Sequence, residues 1–247
     1  MNVKAFIRRL KPHLGKVPGY QLVRFFYRLI HGVESRNTAL LLLWRPKGLY
    51  QPYGTTFNDR YPEISNFVRE QIGDGVNVRI LSIGCSTGEE VFSLRRYFPQ
   101  ATIVGLDINP FNIAVCNFRR LKSGDRRIKF SVASSTAAQA VASYDAIFAM
   151  ALFRHGDLNC SPPPPKCDHR IRFVDFEKSA TDMARILKPG GLLIIEHAMF
   201  RFEDTLVAAE FRTTLSLKMD ETAPVYDSDD CLMDAVDSTG VVFRRIN

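Results

Sequence analysis

Two glycines bracket a short polar run, Gly84-Cys85-Ser86-Thr87-Gly88, which follows the apolar Ile80–Ile83 and precedes the helix-forming Glu89 and Glu90. This order reads as strand, ligand loop, helix. Glycine suits both brackets because a sharp turn and a close approach of backbone to ligand leave no room for a Cβ. Nineteen residues beyond Gly88, a second apolar run, Thr102–Leu106, ends in Asp107. An acidic side chain at that strand tip, about 20 residues past a glycine-rich first turn, can accept hydrogen bonds from both hydroxyls of a ribose. Loop and carboxylate together describe a nucleoside site.

Such a site needs strands whose tips share one edge, and the chain supplies them. From residue 78 the hydrophobic period alternates between strand and helix, the pattern of an α/β fold with a doubly wound, mainly parallel sheet. Strands are expected at Val78–Ile83, Thr102–Leu106, Ile128–Val132, Tyr144–Met150 and Leu192–Ala198. Helices are expected at Gly88–Tyr97, Pro110–Lys122, Thr136–Ala142 and Phe173–Leu187, with Asn109 capping the second and Pro110 at its first position. Glu210–Leu217 and Val241–Ile246 are candidates for a closing hairpin, and a helix is expected at Asp229–Ser238 with Gly240 as its stop. Whether a seventh strand completes the sheet is open at this level.

With 247 residues, 46% of them hydrophobic, the chain can bury one sizeable core. Five irregularly spaced cysteines and the lack of a secretory leader point to reduced thiols and a cytoplasmic setting, and no apolar stretch reaches the roughly 18 residues of a membrane span. The net charge of +7 is uneven: residues 1–48 hold ten Lys and Arg against one acid, Glu34. We therefore divide the chain into a basic helical extension (1–48), an aromatic lid or linker with a helix (49–77) and the sheet domain (78–247). In the extension, Lys4–Leu14 and Gln21–Glu34 have helical spacing and Ala39–Trp44 suits a buried turn of helix. Its interleaved Phe6, Phe25 and Phe26 would let it lie on an anionic membrane surface, dock on a partner or pack on its own domain. In the lid, Arg60 offers a fixed positive charge to a carboxylate.

Ile83-Gly84-Cys85-Ser86-Thr87-Gly88-Glu89-Glu90, then Gly105-Leu106-Asp107-Ile108-Asn109, then Leu187-Lys188-Pro189-Gly190-Gly191 resembles the class I S-adenosylmethionine-dependent methyltransferases over about residues 78–198. The implied fold is Rossmann-like. The first motif is most similar to that of the chemotaxis-receptor glutamate methyltransferases, and Thr56–Pro62 echoes the segment those enzymes carry ahead of the core. The Arg-Asn pair they place after the fourth strand is missing from Phe148–His155, a departure that counts against a protein-glutamate substrate. The resemblance implies S-adenosylmethionine as cofactor and S-adenosylhomocysteine as product. It implies that the loop of Gly84, Cys85, Ser86 and Gly88 passes the methionine portion, and that Asp107 meets the ribose, Ile108, Ala133 and Ser134 the adenine, and Met150 and Ala151 the sulfonium; Arg60 and Glu89 are further cofactor-binding candidates.

Methyl transfer to a hydroxyl needs a base near the methyl group, and His155 and His197, after strands four and five, are the candidates. Either histidine can equally be a hydrogen-bonded structural residue. The acceptor expected is a small molecule or glycan carrying oxygen or nitrogen. Lys166, Arg170 and Arg172, beside the four prolines Pro162–Pro165, would suit an anionic one. Cys160, Cys167 and His169 do not have a standard zinc spacing, and no metal is expected. Competing readings are a protein-carboxylate methyltransferase, a non-catalytic cofactor-binding regulator, and an α/β-hydrolase in which Gly84–Gly88 is the G-x-S-x-G elbow and Ser86 acts with Asp145 and His197. The G-x-x-x-G spacing argues against a nicotinamide enzyme. Nucleic acid is not expected as a partner, because the excess of positive charge is confined to the head.

Overall fold

Five apolar runs, most of them buried on both faces, form the parallel part of one sheet. They are β1 (Arg79–Ile83), β2 (Thr102–Asp107), β3 (Ile128–Val132), β4 (Tyr144–Met150) and β5 (Leu187–Glu196). The computed structural model describes residues 26–27, 33–44, 46, 48–52, 58–218, 223–234 and 238–246. The chain divides into two units, Met1–Arg45 and Pro46–Asn247. In the first, α1 (Val33–Trp44) is three turns of helix, longer than the single turn expected at Ala39–Trp44. Lys4–Leu14 and most of Gln21–Glu34 lie outside the described residues.

In the second unit, α2 (Pro62–Ile72), α3 (Glu89–Tyr97), α4 (Pro110–Ser123) and α5 (Phe173–Ile186) flank the sheet. Alternation within single strands sorts the core into two layers. Leu81, Ile83, Ile147 and Ala149 pack with Phe176 and Met183 of α5, while Ile80, Phe148 and Met150 pack with Val68, Val91, Leu94 and Ile113 of α2 to α4. Burying each large side chain contributes about 1.5–3 kcal/mol. Asn109 caps α4 as expected, its Oδ1 accepting from the Phe111 amide at 3.0 Å.

The last two strands resolve the open question at the C-terminus. β6 (Phe211–Lys218) and β7 (Ser238–Arg245) form an antiparallel pair, and β7 inserts beside β5. The order is β3-β2-β1-β4-β5-β7-β6, seven strands with the reversal between β1 and β4. Strand tips on either side of such a reversal border a ligand crevice.

Three expectations are corrected. Thr136–Ala142 is a series of turns, not a helix. The Arg185 guanidinium, reaching in from α5, takes the carbonyls of Thr136, Ala137 and Gln139 at 3.1–3.2 Å, satisfying groups a helix would have paired internally. The Asp229–Ser238 helix is also absent from its described residues. Asp227 Oδ1 accepts from the amides of Asp229 and Cys231, both at 2.9 Å, Asp230 has φ +60°, and Gly240 lies within β7. The turn expected at Pro189–Gly191 is instead an irregularity inside β5, which starts to pair at Leu187 with Tyr144.

Candidate functional site

The loop after β1 is held chiefly by the tip of β2. Leu106 carbonyl accepts from the amides of Gly84 and Cys85 at 2.7 and 3.0 Å, and the Gly88 amide donates back to Cys85 at 2.9 Å. Gly84 has φ +75°, and a Cβ there would meet Leu152 at 2.8 Å. Asp107, buried at the tip of β2, closes the loop from the other side. Its Oδ2 accepts from the Ser86 amide at 2.8 Å, and its Oδ1 from Asn109 N and Asn112 Nδ2 at 2.8 and 3.2 Å. Burial raises its pKa, and those three donors oppose the rise. A carboxylate has about four acceptor sites, so roughly one remains for a ribose hydroxyl rather than the pair expected from sequence.

The two glutamates that open α3 part company. Glu89 turns toward α4: Oε1 pairs with Arg119 Nη1 at 2.7 Å and Oε2 accepts from Thr87 Oγ1 at 2.7 Å. Arg119 also donates to the Thr87 carbonyl at 2.6 Å, so Glu89 braces the outer flank of the loop. Glu90 turns under it and accepts from Ser82 Oγ at 2.7 Å. Desolvation pushes its carboxyl up to about 7, against the Ser82 hydrogen bond and the charge of Arg60. Sequence reasoning singled out Glu89 and passed over Glu90; the i, i+8 relation between Ser82 and Glu90 was the available signal. Cys85 is likewise turned away from the loop's concave side, its sulfur 3.0 Å from where a Cβ on Gly105 would stand.

Across the reversal, Met150 of β4 registers with Glu196 of β5, and the Ala151 amide donates to the Glu196 carbonyl at 2.8 Å. Ser86, Ala151 and His197, each just past the end of its strand, have φ of +50°, +54° and +52°. Left-handed backbone is uncommon outside glycine and clusters at functional sites. The lid end meets this region from above. Arg60 lies over the Tyr61 ring at 5.1 Å, the Tyr61 ring is 5.6 Å from that of His197, and the buried Tyr61 hydroxyl has no hydrogen-bond partner among the described residues. Burial raises the pKa of Glu196, which Arg60 and the His197 amide oppose. Tyr50, at the other end of the expected lid, is a core residue: its hydroxyl donates to the Asp175 carbonyl at 2.6 Å and its ring packs on Phe153.

The remaining expected residues separate. His155 is buried and caps a short 3-10 turn, its Nδ1 accepting from the Asp157 amide at 3.3 Å, and burial lowers its pKa. Ile108 and Ala133 are half-buried and Ser134 is exposed, with no helix after it to cap. Arg170 and Arg172, expected to greet an anion, pair with Asp157 at 3.7 Å and with Asp175 at 2.8 Å. The proline loop is tied to the acidic stretch: Leu232 N donates to Pro165 O, Cys167 N to Asp230 O, and Phe173 N to Asp230 Oδ1. Cys167 is fully buried and its thiol is pushed up to about 12. Among the described residues, no group of three His, Cys, Asp or Glu is placed to hold a metal.

The hydrolase triad does not assemble. Asp145 stands at the starting end of β4, holding Lys188 at 2.8 Å, whereas Ser86 follows the finishing end of the parallel β1. No strand precedes β1 among the described residues.

A family model for a methyltransferase domain matches residues 74–236. The chain belongs to that family. It is a class I methyltransferase domain, and its cofactor is S-adenosylmethionine. No curated protein matches the chain. Solved structures similar to it include phosphoethanolamine N-methyltransferase 2 from Haemonchus contortus (18% identity, TM-score 0.43, 70% of this chain and 34% of that chain). Others are the YcgJ protein of Bacillus subtilis (10%, 0.48, 76% and 100%) and geranyl diphosphate C-methyltransferase from Streptomyces coelicolor (15%, 0.41, 54% and 44%). The methyltransferase domain thus spans about a third of the length of the Haemonchus enzyme. The residues present fit the cofactor's zwitterionic end: a carboxyl poised near neutrality at Glu90, the guanidinium of Arg60 acting on it, and the orphaned Tyr61 hydroxyl stand together beside the loop. No helix among the described residues is long and apolar enough to cross a membrane.

Proposed function

We propose that the protein transfers the methyl group of S-adenosylmethionine to an oxygen or nitrogen of a small-molecule or glycan-type acceptor that approaches from the ends of β4 and β5. The observation that carries this is the convergence of Ser86, Ala151 and His197, all in left-handed backbone, at the tips of β1, β4 and β5. Bound there, the cofactor supplies an electrophilic methyl on a sulfonium leaving group. The chain's own work is positioning. Arg60 and Glu90 take the methionyl carboxylate and ammonium, Asp107 takes a ribose hydroxyl, and Met150 and Ala151 border the sulfonium. His197, with Glu196 beside its Nδ1 at 3.8 Å, accepts the proton of a hydroxyl acceptor. His155 is left as a cap that shapes the loop after β4. Alignment and exclusion of water by the Arg60–Tyr61 segment account for the rest of the acceleration.

Calorimetric titration with S-adenosylmethionine, S-adenosylhomocysteine and NAD tests the reading, with Asp107→Ala as control. Saturable binding of the first two only, weakened in the variant, is the expected result, followed by S-adenosylhomocysteine formation against a panel of acceptors. Failure of the folded protein to bind either would sink it, while binding without turnover on any acceptor would favour a regulatory cofactor binder.

A further inference from the structure

Past the strand tips the chain encloses a second space, a cavity of about 280 Å³ between the end of β5 and the β6–β7 hairpin. That volume sits at the small end of the range for ligand pockets, too little for a polymer segment. His197 and Glu196 form its inner wall, so the cavity opens beside the base named above. Its polar lining is unevenly charged. Among the described lining residues, Arg154 enters from the loop after β4, Arg201 from the turn after β5 and Lys218 from the end of β6, against the carboxyl of Glu196. Between them run apolar side chains, among them Met199, Leu217 and Val225.

Arg201 is the informative member. Its Nε is buried without a hydrogen-bond partner among the described residues, with the Asp204 carboxylate 3.9 Å away, beyond hydrogen-bond reach. Guanidinium groups favour planar or tetrahedral oxyanions, which they bind through paired N–H donors.

We propose that this cavity is the acceptor subsite and that it selects a small amphipathic anion. Arg154 and Arg201 hold its carboxylate or phosphate, its apolar body lies on Met199 and Val225, and its methyl-accepting atom faces His197. The proposal rests on the methyltransferase reading for the role of His197, whereas the anion site itself stands on the cavity.

The test is a titration of the full chain, with and without saturating S-adenosylhomocysteine, using phenyl phosphate, benzoate and the uncharged benzyl alcohol as probes. The two anions should bind saturably and the alcohol should not. Arg201→Gln and, independently, Arg154→Gln should each weaken the anions about tenfold or more while S-adenosylhomocysteine binding stays as in the parent. Equal binding of alcohol and anions, or anion binding that neither substitution alters, overturns the proposal. So does the absence of anion binding in protein that still binds S-adenosylhomocysteine. Loss of S-adenosylhomocysteine binding in the folded parent protein strikes instead at the methyltransferase reading, and the acceptor role falls with it.

Discussion

The two sides of the crevice are built differently. On the β1–β2 side, Gly84 to Glu90 and Asp107 to Asn112 form two short continuous stretches, and most of the contacts that set their shape are backbone hydrogen bonds or bonds to the one carboxylate of Asp107. On the β4–β5 side the lining comes from five separate segments that meet only because β7 inserts next to β5 and the proline loop is zipped to residues 226–232. The first side is a local device that many sequences can reproduce. The second is a product of long-range packing, which leaves it freer to vary.

Substitutions can break that contrast. With an oxygen acceptor, His197→Ala should lower turnover by about 10²–10⁴-fold while cofactor affinity holds, the size expected for loss of general-base catalysis. His155→Ala should instead lower the unfolding midpoint, since it removes a cap; a large loss of turnover with an unchanged midpoint would reverse their roles. Next in size is Asp107→Ala, expected to weaken S-adenosylhomocysteine about 10- to 100-fold by calorimetry, through one charge-assisted hydrogen bond and a slackened loop.

Glu90 sharpens the comparison through pH. Burial raises its carboxyl from 4.5 to about 7, so the unliganded folded state holds this proton more tightly than the unfolded chain. Its contribution to stability is then complete below about 4.5 and is lost as pH rises through 7. Cofactor binding runs the opposite way, because an ammonium partner needs the carboxylate: affinity should rise by up to about tenfold per pH unit toward 7 and level off above it. Glu90→Gln should flatten both profiles, and an unflattened affinity profile would remove Glu90 from the site. The smallest effect is expected from Glu89→Gln. This partly exposed pair with Arg119 is worth about 0.5–1 kcal/mol in denaturant unfolding, with little change at the acceptor side.

Sequence alone determined the bounds of the first four strands nearly to the residue. A short apolar run, a glycine turn and an acid at the next strand tip are local patterns, and β3 and β4 have the expected bounds while β1 and β2 differ by a single residue. The loop after β1 was legible because its glycines and the acid at the tip of β2 carry their own signal, although the bonds that hold it reach 21 and 22 residues along the chain to Asp107 and Leu106. Tertiary structure decided the rest. Glu89 and Glu90 have the same side chain on the same helix, and only the positions of Arg119 and Ser82 send one to brace the loop and the other beneath it. Thr136–Ala142 has helix-forming composition, yet a guanidinium 46 to 49 residues away in sequence takes its carbonyls. The seventh strand, the capping role of His155 and the gathering of Arg154 with Arg201 all depend on which distant segments share the space beyond β5. Burial and pairing between such segments are properties of the packed chain, and no local period encodes them.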